Sequence, residues 1–562
     1  MGTVEGSALV ARAIQKEGIT TLFGLAGGPI VEIMGYAAQF GVRPIGVRHE
    51  QAAAFSAAAY GFVKNEVGVC VLAAGPAVTN GLTGAHVAFD NCFPMVILGG
   101  SGPQHGRYTG TFQETDNVPM FRGITKMSVQ VDSAARIPDY MSMAFRKARS
   151  GRPGPVYLDL PSDVLQKQVE EDEVHWPENY FADAPPMGNA EQVRRAADLL
   201  LNADRPAMIV GKGVRWSEPT AELKRLIETL GMPFIPSPMG RGFIPDDHPL
   251  NAAAARSTLM QGADVVLMVG ARMNWMFDFG RRFAADAKII QVDIEPEEIG
   301  INRGIEVGIV GDAKAVLRQL LAELEGKTDG MADRAEEGPW LTAIREKAEA
   351  NSASIEPLLN ADESPIRTFR LLKEIRDVFP RDTIYSVDGQ ITLGTGRQVL
   401  QSYTPASRLN SASNGCMGVG VPFAVGAKLA RPDVPVVSLN GDCAFGFNAM
   451  EMETAVRHKI PVVFIINNNS GIVGGNLESR MGLPDNYDER VATYTPDIRY
   501  DKIMEAFGGH TESVSSPDEL RPALQRAYEA TKAGKVACVN VISEHMETMI
   551  TRSTRASALM GY

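Results

Sequence analysis

The stretch Val436–Gly471, "VVSLNGDCAFGFNAMEMETAVRHKIPVVFIINNNSG", decides the fold of this chain. Its two ends are apolar runs of strand length, and the segment between them has apolar residues at helical spacing, at Ala449, Met452, Ala455 and Val456. We expect Asn448 to cap this helix, with Glu451 three residues later as in a capping box. A strand–helix–strand unit joins parallel strands, so the stretch predicts a parallel α/β sheet.

Polar residues follow both strands of this unit. Asp442 comes after the first strand, and three asparagines ending in Asn469 close the second. Because the carboxyl ends of parallel strands meet at one edge of the sheet, we expect Asp442 and Asn469 to lie close together. A carboxylate oxygen of Asp442, the amide oxygen of Asn469 and the backbone carbonyl of Gly471 suit Mg²⁺. This ion takes its other ligands from phosphate and water. The spacing alone fits two unrelated polar turns equally well.

The same alternation of strands and helices runs through the whole chain of 562 residues, which is too long for one core. Near-continuous apolar runs, typical of parallel strands covered on both faces, recur in three blocks separated by acidic or charged linkers. The predicted fold class is α/β, with three successive parallel-sheet domains. They span residues 1–165, 190–325 and 364–545, followed by a tail, 546–562, that is either a disordered terminus or a lid.

Composition narrows the possible partners. A net charge of −12 argues against a nucleic-acid partner, and no apolar run reaches the ~18 residues that a membrane span needs. The five cysteines are scattered without a CxxC pair, which argues against a disulfide framework and a zinc site and fits a cytoplasmic protein. The expected partner is a small molecule. Because the protein is acidic overall, an anionic small molecule would need a local pocket of Lys or Arg side chains.

Gly441-Asp442-Cys443, followed one helix and one strand later by Asn468-Asn469, resembles the signature of thiamine diphosphate enzymes, in which the third residue is usually Gly. The resemblance implies pyrimidine-binding, central nucleotide-binding and diphosphate-binding domains. It also implies thiamine diphosphate and Mg²⁺ as cofactors, with Asp442, Asn469 and Gly471 as metal ligands. Further cofactor contacts implied by the resemblance are Met417, Gly441, Cys443, Ala444 and Ile472. Met417, in "NGCMGVGVP", would prop the bent cofactor; an ordinary core Met is the alternative.

A second landmark lies near the N-terminus, in "GVRHEQAAAFSAAAYGF". Thiamine diphosphate needs a carboxylate against its aminopyrimidine, and Glu50 opens an Ala-rich helix after a strand-like segment. A Glu stabilised by a helix N-terminus is the alternative. "RHEQAA" and "GPAVTNGL" resemble the pyrimidine domain of the same superfamily. That resemblance implies a catalytic Glu50 and active sites shared between the subunits of a homodimer or homotetramer.

The middle block contains "IVGKGVRW", "VLMVGARMNW" and "IIQVDIEPEEIG", which resemble the group of 2-hydroxyacyl-CoA lyases and oxalyl-CoA decarboxylases. This resemblance implies a coenzyme A (CoA) thioester as substrate and ADP as a further nucleotide ligand. Lys212 follows a strand and can approach phosphate, Arg272 can fork onto phosphate, and Asp293 can accept from a ribose hydroxyl. Each alone also fits a surface charge or a helix cap. The other candidates for CoA binding are Arg152, Ile294 and Asp312.

Three positions favour a lyase over a decarboxylase. Phe112 and Gln113, in "TFQETDN", stand where the decarboxylases have a Tyr-Glu pair, and Gly28 stands where relatives place a larger apolar residue. Glu478 is an acid–base candidate or a solvated loop charge. The expected reaction is the reversible cleavage of a 2-hydroxyacyl-CoA to formyl-CoA and an aldehyde or ketone. The alternatives are oxalyl-CoA decarboxylase, an acetolactate-synthase-like carboligase with FAD, and a catalytically silent binding protein.

Overall fold

The computed structural model describes residues 2–182, 184–472 and 488–545. Their long strands form three parallel sheets, one after another along the chain, with helices on both faces. This architecture confirms the predicted α/β class with three successive parallel-sheet domains. In the described part of the chain, no helix has the length and apolar character needed to cross a membrane.

The first sheet has six strands in the order β3-β2-β4-β5-β7-β6, and a short antiparallel pair, β1 with β8, closes the domain. The strands of this domain are β1 (Thr3–Glu5), β2 (Thr21–Gly24), β3 (Arg43–Gly46), β4 (Gly68–Ala74), β5 (Met95–Ser101), β6 (Met127–Gln130), β7 (Pro155–Pro161) and β8 (Gln168–Glu170). Its α-helices are Gly6–Lys16, Val31–Gln39, Glu50–Lys64, Pro76–Asn80, Leu82–Asn91, Asn117–Arg122, Ile137–Arg149 and Ser162–Leu165.

The central sheet has five strands in the order β10-β9-β11-β12-β13. These strands are β9 (Pro206–Val210), β10 (Phe234–Pro236), β11 (Val265–Val269), β12 (Lys288–Asp293) and β13 (Val307–Val310). The helices of the domain are Ala190–Leu201, Thr220–Leu230, Arg256–Gly262 and Ala313–Leu324. Two more helices, Met331–Glu336 and Pro339–Leu359, occupy the stretch that the sequence assigns to a charged linker.

The third sheet has six strands in the order β15-β14-β16-β17-β19-β18. These strands are β14 (Ile384–Asp388), β15 (Arg408–Leu409), β16 (Val436–Gly441), β17 (Val463–Asn468), β18 (His510–Val514) and β19 (Ala537–Ile542). Its helices are Thr368–Val378, Gln390–Val399, Gly420–Ala430, Asp442–Asn448, Glu451–Arg457, Asp501–Ala506 and Pro517–Lys532. The predicted strand–helix–strand unit between Val436 and Gly471 is therefore β16, two short helices and β17. The two strands pair in parallel, as expected.

The first and third domains share one apolar core. The helix Glu50–Lys64 packs on the helix Gly420–Ala430: the Phe55 and Phe423 rings meet edge to face at 5.9 Å, and Ser56 Oγ donates to Pro422 O at 2.9 Å. Both helices are rich in Ala and Gly, which lets their backbones approach closely. This packing fixes the N-terminus of the first helix, where Glu50 lies, relative to the third sheet.

Candidate functional site

Asp442 lies at the carboxyl edge of the third sheet, as the first residue of the helix Asp442–Asn448. Its carboxylate is buried and accepts hydrogen bonds from Cys443 N (2.8 Å) and Gly471 N (3.1 Å). Burial raises the pKa of Asp442 to about 6, although these backbone amides oppose the shift. A cation placed against this carboxylate would therefore be stabilised, because it would offset the cost of burying the charge.

The three asparagines at the end of β17 differ in their contacts. Asn467 Nδ2 donates to Thr368 Oγ1 (3.1 Å), and Asn468 Nδ2 donates to Ile498 O (2.9 Å), and both residues are 1 % exposed. Asn469 is the first residue beyond the strand and is half-buried. Within the described residues its side-chain amide has no hydrogen-bond partner. Asn467 and Asn468 are thus buried cross-links, whereas the Asn469 amide is bonded to no other described residue.

The donor set at this edge fits Mg²⁺ and the diphosphate of thiamine diphosphate. Among the described residues, no group of three or more His, Cys, Asp or Glu side chains could hold a metal ion. The side chains at this edge are the carboxylate of Asp442 and the amide of Asn469, and Gly471 N donates to the Asp442 carboxylate at 3.1 Å. Mg²⁺ is the cation that accepts so few protein ligands, because phosphate oxygens and water complete its octahedron.

Asn448 and Glu451 do not form the predicted helix cap. Asn448 is the last residue of one helix, and Met450 precedes the next helix, which begins at Glu451. Asn448 Nδ2 donates to Gly418 O at 2.7 Å, and Glu451 Oε1 accepts from the backbone amides of Arg48 and His49, both at 3.0 Å. The prediction was wrong because both side chains make long-range contacts with neighbouring segments, which local spacing does not reveal.

Asp388, at the end of β14, is a site residue that the sequence analysis missed. Its buried carboxylate accepts from Gly389 N (2.8 Å), Gly418 N (2.8 Å) and Gly420 N (2.9 Å). Burial raises its pKa to about 6. Gly418 has a φ of +88°, and a Cβ there would lie 2.6 Å from Phe447 Cβ, so this turn requires glycine. Asp388 therefore fixes the turn that follows Met417.

The signal for Asp388 was present in the sequence. "SVDG" places an acidic residue and a glycine directly after an apolar strand, as "SLNGD" does one strand along the sheet. In the structure Asp388 pairs with Asn440 across β14 and β16. Met417 itself is half-buried rather than part of the core, which is where a residue that contacts a ligand is expected.

Glu50 is the first residue of the helix Glu50–Lys64, and it is 7 % exposed. Asn80 Nδ2 donates to Glu50 Oε2 at 2.9 Å. The turn before it is held by Glu451, which is buried and whose pKa is raised by that burial. A buried carboxylate with one oxygen held by an amide and with the preceding turn anchored by Glu451 is well ordered for proton exchange.

The predicted substrate-side residues lie on the first domain. Phe112 is 87 % exposed. Gln113 has a φ of +57°, and its backbone packs against Gly75. Gly75 directly precedes the helix Pro76–Asn80. Apart from its two chain neighbours, no described residue has an atom within 4 Å of the position that a Cβ would take at Gly28. Glu478 and the tail 546–562 lie outside the described residues. The space at Gly28 is consistent with room for a bulkier substrate.

A cavity of ≈ 600 Å³ is lined by all three domains and contains every predicted CoA-binding residue. These residues are Arg152, Lys212, Arg272, Asp293, Ile294 and Asp312. Asp312 Oδ1 also accepts from Ala315 N at 3.0 Å and so caps the helix Ala313–Leu324. The sequence thus predicted a set of residues that the fold brings into one pocket.

The charged groups of the cavity are held in place by polar partners. Lys212 Nζ donates to Asn91 Oδ1 at 2.8 Å, and burial lowers its pKa to about 7. Arg152 Nη1 lies 2.7 Å from Glu298 Oε1, and Arg272 Nη1 lies 3.5 Å from Asp90 Oδ1. Burial raises the pKa of Asp293 to about 6. Because these cationic side chains are already held in place, they can bind phosphate groups without losing further conformational entropy.

Three segments of the chain match known families. Residues 4–120 match the thiamine pyrophosphate enzyme N-terminal TPP binding domain, residues 193–320 the central domain of the same enzymes, and residues 389–541 their C-terminal TPP binding domain. Among curated proteins, the chain is 39 % identical over 557 residues to a 2-hydroxyacyl-CoA lyase of Oryza sativa subsp. japonica (96 % of this chain, 95 % of the relative).

Two further relatives have other names. The chain is 36 % identical over 542 residues to the oxalyl-CoA decarboxylase of Escherichia coli (strain K12), covering 94 % of this chain and 93 % of the relative. It is 35 % identical over 561 residues to a probable acetolactate synthase of Mycobacterium bovis, covering 99 % and 98 %. Relatives of similar identity therefore carry three different activities in their names.

Proposed function

Because this chain belongs to the thiamine pyrophosphate enzyme family, we propose that it uses thiamine diphosphate and Mg²⁺ to cleave a 2-hydroxyacyl-CoA reversibly into formyl-CoA and an aldehyde or ketone. The observation that carries this proposal is the ≈ 600 Å³ cavity, in which Lys212 and Arg272 offer cations to phosphate and Asp293 offers an acceptor to ribose. The 2-hydroxyacyl-CoA lyases among the relatives support it.

The metal and the diphosphate would be held at the edge of the third sheet. We assign Asp442, Asn469 and the carbonyl of Gly471 to Mg²⁺, since Asp442 already contacts Gly471 N and the Asn469 amide remains available. The half-buried Met417 would support the cofactor's bent shape, and Asp388 fixes the turn after it. The remaining residues that we assign to the cofactor are Gly441, Cys443, Ala444 and Ile472.

The chemistry divides between the cofactor and the chain. When bound, thiamine diphosphate would supply a nucleophilic carbon that adds to the substrate and a cationic ring that takes up the electron pair released by carbon–carbon cleavage. Glu50 would exchange a proton with the aminopyrimidine, and Asn80 Nδ2, which donates to Glu50 Oε2 at 2.9 Å, would hold the carboxylate in place for that exchange. Gln113 and Glu478 are the candidates for moving the proton of the substrate hydroxyl, Phe112 borders the substrate, and Gly28 gives it room.

The protein would act as a homodimer or homotetramer. Several large apolar side chains are exposed on the single chain, including Tyr108 (81 %), Phe112 (87 %) and Phe447 (57 %). Phe447 belongs to the helix that begins at Asp442, and Phe112 adjoins Gln113, so both lie beside proposed site residues. Apolar side chains exposed to this degree are typical of an interface, and a second copy is the simplest cover.

The rival with the most support is an oxalyl-CoA decarboxylase, because one relative has that name at 36 % identity. The test supplies oxalyl-CoA and a set of 2-hydroxyacyl-CoA thioesters separately, with thiamine diphosphate and Mg²⁺, and separates the CoA products by chromatography. We expect formyl-CoA and an equimolar aldehyde or ketone from the hydroxyacyl substrates. Carbon dioxide release from oxalyl-CoA that far outpaced this cleavage would contradict the lyase assignment.

The other rival is an acetolactate-synthase-like carboligase with FAD in the central domain, which one relative's name suggests. The absorbance spectrum of the purified protein tests this rival directly. We expect no flavin absorbance in that spectrum. A yellow protein that condenses pyruvate would favour the carboligase.

A further inference from the structure

Glu451, the first residue of the helix Glu451–Arg457, is a buried carboxylate that accepts hydrogen bonds from backbone amides and a hydroxyl. It is 2 % exposed, and its Oε1 accepts from Arg48 N and from His49 N, both at 3.0 Å. Thr454 Oγ1 donates to its Oε2 at 2.6 Å. Because hydrogen bonds to an ionised acceptor are stronger than those to a neutral one, this carboxylate holds the two amides firmly.

The two amides belong to the turn that leads into Glu50. This turn joins β3, which ends at Gly46, to the helix Glu50–Lys64, and His49 is the N-cap of that helix. Glu451 therefore fixes, through their backbone, the two residues directly before Glu50. A displacement of the turn would move Glu50 with it, because the peptide bond holds adjacent Cα atoms about 3.8 Å apart.

Asn448 holds the residue on the other side of Glu50. Its Nδ2 donates to Gln51 Oε1 at 3.2 Å and to Gly418 O at 2.7 Å. Gly418 directly follows Met417, which we assign to the cofactor's bent shape. The third domain thus binds the first domain on both sides of Glu50, and the position of Glu50 depends on contacts that the first domain cannot make alone.

We propose that Glu451 is a positioning residue for Glu50. By holding the backbone amides of Arg48 and His49, it sets the distance between the Glu50 carboxylate and the aminopyrimidine of bound thiamine diphosphate. This inference rests on the proposed function, because it takes Glu50 as the group that exchanges a proton with the cofactor. Such an exchange needs heavy atoms roughly 2.6–3.2 Å apart, and a misplacement of about 1 Å can lower a rate about 100-fold.

Two substitutions separate the reach of the Glu451 side chain from its charge. Glu451→Gln keeps the length and an acceptor oxygen for the two amides, and its Nε2 can donate to Thr454 Oγ1. Glu451→Asp keeps the charge but shortens the side chain by one carbon–carbon bond, about 1.5 Å. The matched control is Glu453→Asp on the same helix, because Glu453 pairs with the side chains of Arg457 and Arg48.

The measurement is the rate at which the reactive carbon of bound thiamine diphosphate exchanges its proton with D₂O, at saturating cofactor and Mg²⁺ and without substrate. Acid quenching followed by NMR gives this rate for the full-length protein. We expect Glu451→Gln to exchange within about threefold of the wild type, because it retains the acceptor. Glu451→Asp should exchange at least about tenfold more slowly, and Glu453→Asp should exchange at the wild-type rate.

Two results would overturn the assignment. One is a Glu451→Asp variant that unfolds at a lower temperature but exchanges at the wild-type rate, since that is what a merely structural role predicts. The other is slower exchange in Glu451→Gln than in Glu451→Asp, which would assign the effect to charge. The lyase assignment fails separately: because the exchange needs no acyl-CoA, a protein that shows the expected order but cleaves no 2-hydroxyacyl-CoA would keep Glu451 as a positioning residue.

Discussion

Asn469 and Asn467 differ in what they contact, although they are two residues apart. Asn469→Ala should raise the Mg²⁺ concentration needed to retain thiamine diphosphate by about tenfold or more, because it removes a proposed ligand. Asn467→Ala is the matched control: it removes a buried bond to Thr368 and should lower the free energy of unfolding by about 1–3 kcal/mol with little effect on the Mg²⁺ requirement. Cofactor retention during gel filtration, measured against Mg²⁺, separates the two. Equal losses would mean that Asn469 is not a ligand.

Lys212 should make CoA binding depend on pH. Burial lowers its pKa to about 7 in the free protein, so below that pH it is charged and attracts phosphate. Above pH 7, binding must take up a proton, and affinity should fall by up to about tenfold per pH unit. Calorimetry between pH 7 and 8 measures this slope. Lys212→Met should bind more weakly at pH 7 and show a shallower slope, and a wild-type affinity that rose with pH would contradict the assignment.

At the scale of elements, the turn between Met417 and the helix Gly420–Ala430 depends on Asp388. Asp388→Ala removes the acceptor for three backbone amides and should lower the free energy of unfolding by about 2–4 kcal/mol. It should also weaken thiamine diphosphate binding, because the turn after Met417 loses its anchor. Thermal unfolding with and without cofactor measures both effects. Asp433→Ala, on the surface with Arg431 as its partner, is the control and should change neither.

Local sequence patterns predicted some features of these elements and not others. The unit β16–helix–β17 and its polar edge followed from apolar spacing alone, because a crossover between parallel strands leaves few arrangements. The start of the helix within this unit could not be predicted in the same way. Asn448 is hydrogen-bonded to Gly418 O instead, and Glu451 to the backbone before Glu50.

At the scale of the molecule, apolar runs in three blocks predicted the three sheets, and the family motifs pointed to residues that the fold brings into one cavity. The domain boundaries and the roles of the site residues stay predictions. Sequence could not give the sharing of the cavity among three domains, because that depends on how the Ala-rich helices of the first and third domains pack. Apolar periodicity identifies such helices but not their partners.

An active site shared between subunits, as we propose, predicts complementation between them. If Glu50 of one subunit serves the diphosphate site of another, then at a limiting Mg²⁺ concentration the Glu50→Gln and Asn469→Ala variants each have little activity alone. Mixing them after reversible dissociation should form heterodimers with one intact site and restore up to about one quarter of wild-type activity, from the statistics of random pairing into symmetric dimers. Steady-state rates across the mixing ratio measure this recovery. Its absence in a verified heterodimer would place both residues at a site within one chain.

The central claim is that this chain cleaves a 2-hydroxyacyl-CoA with thiamine diphosphate that is activated by Glu50. The most direct measurement is the yield of formyl-CoA and carbonyl product from a 2-hydroxyacyl-CoA, with thiamine diphosphate and Mg²⁺, for the wild type and for Glu50→Gln. We predict equimolar products from the wild type, and a rate at least about 100-fold lower for Glu50→Gln with unchanged CoA affinity. An unchanged rate in Glu50→Gln, or no formyl-CoA from the wild type, would contradict the claim.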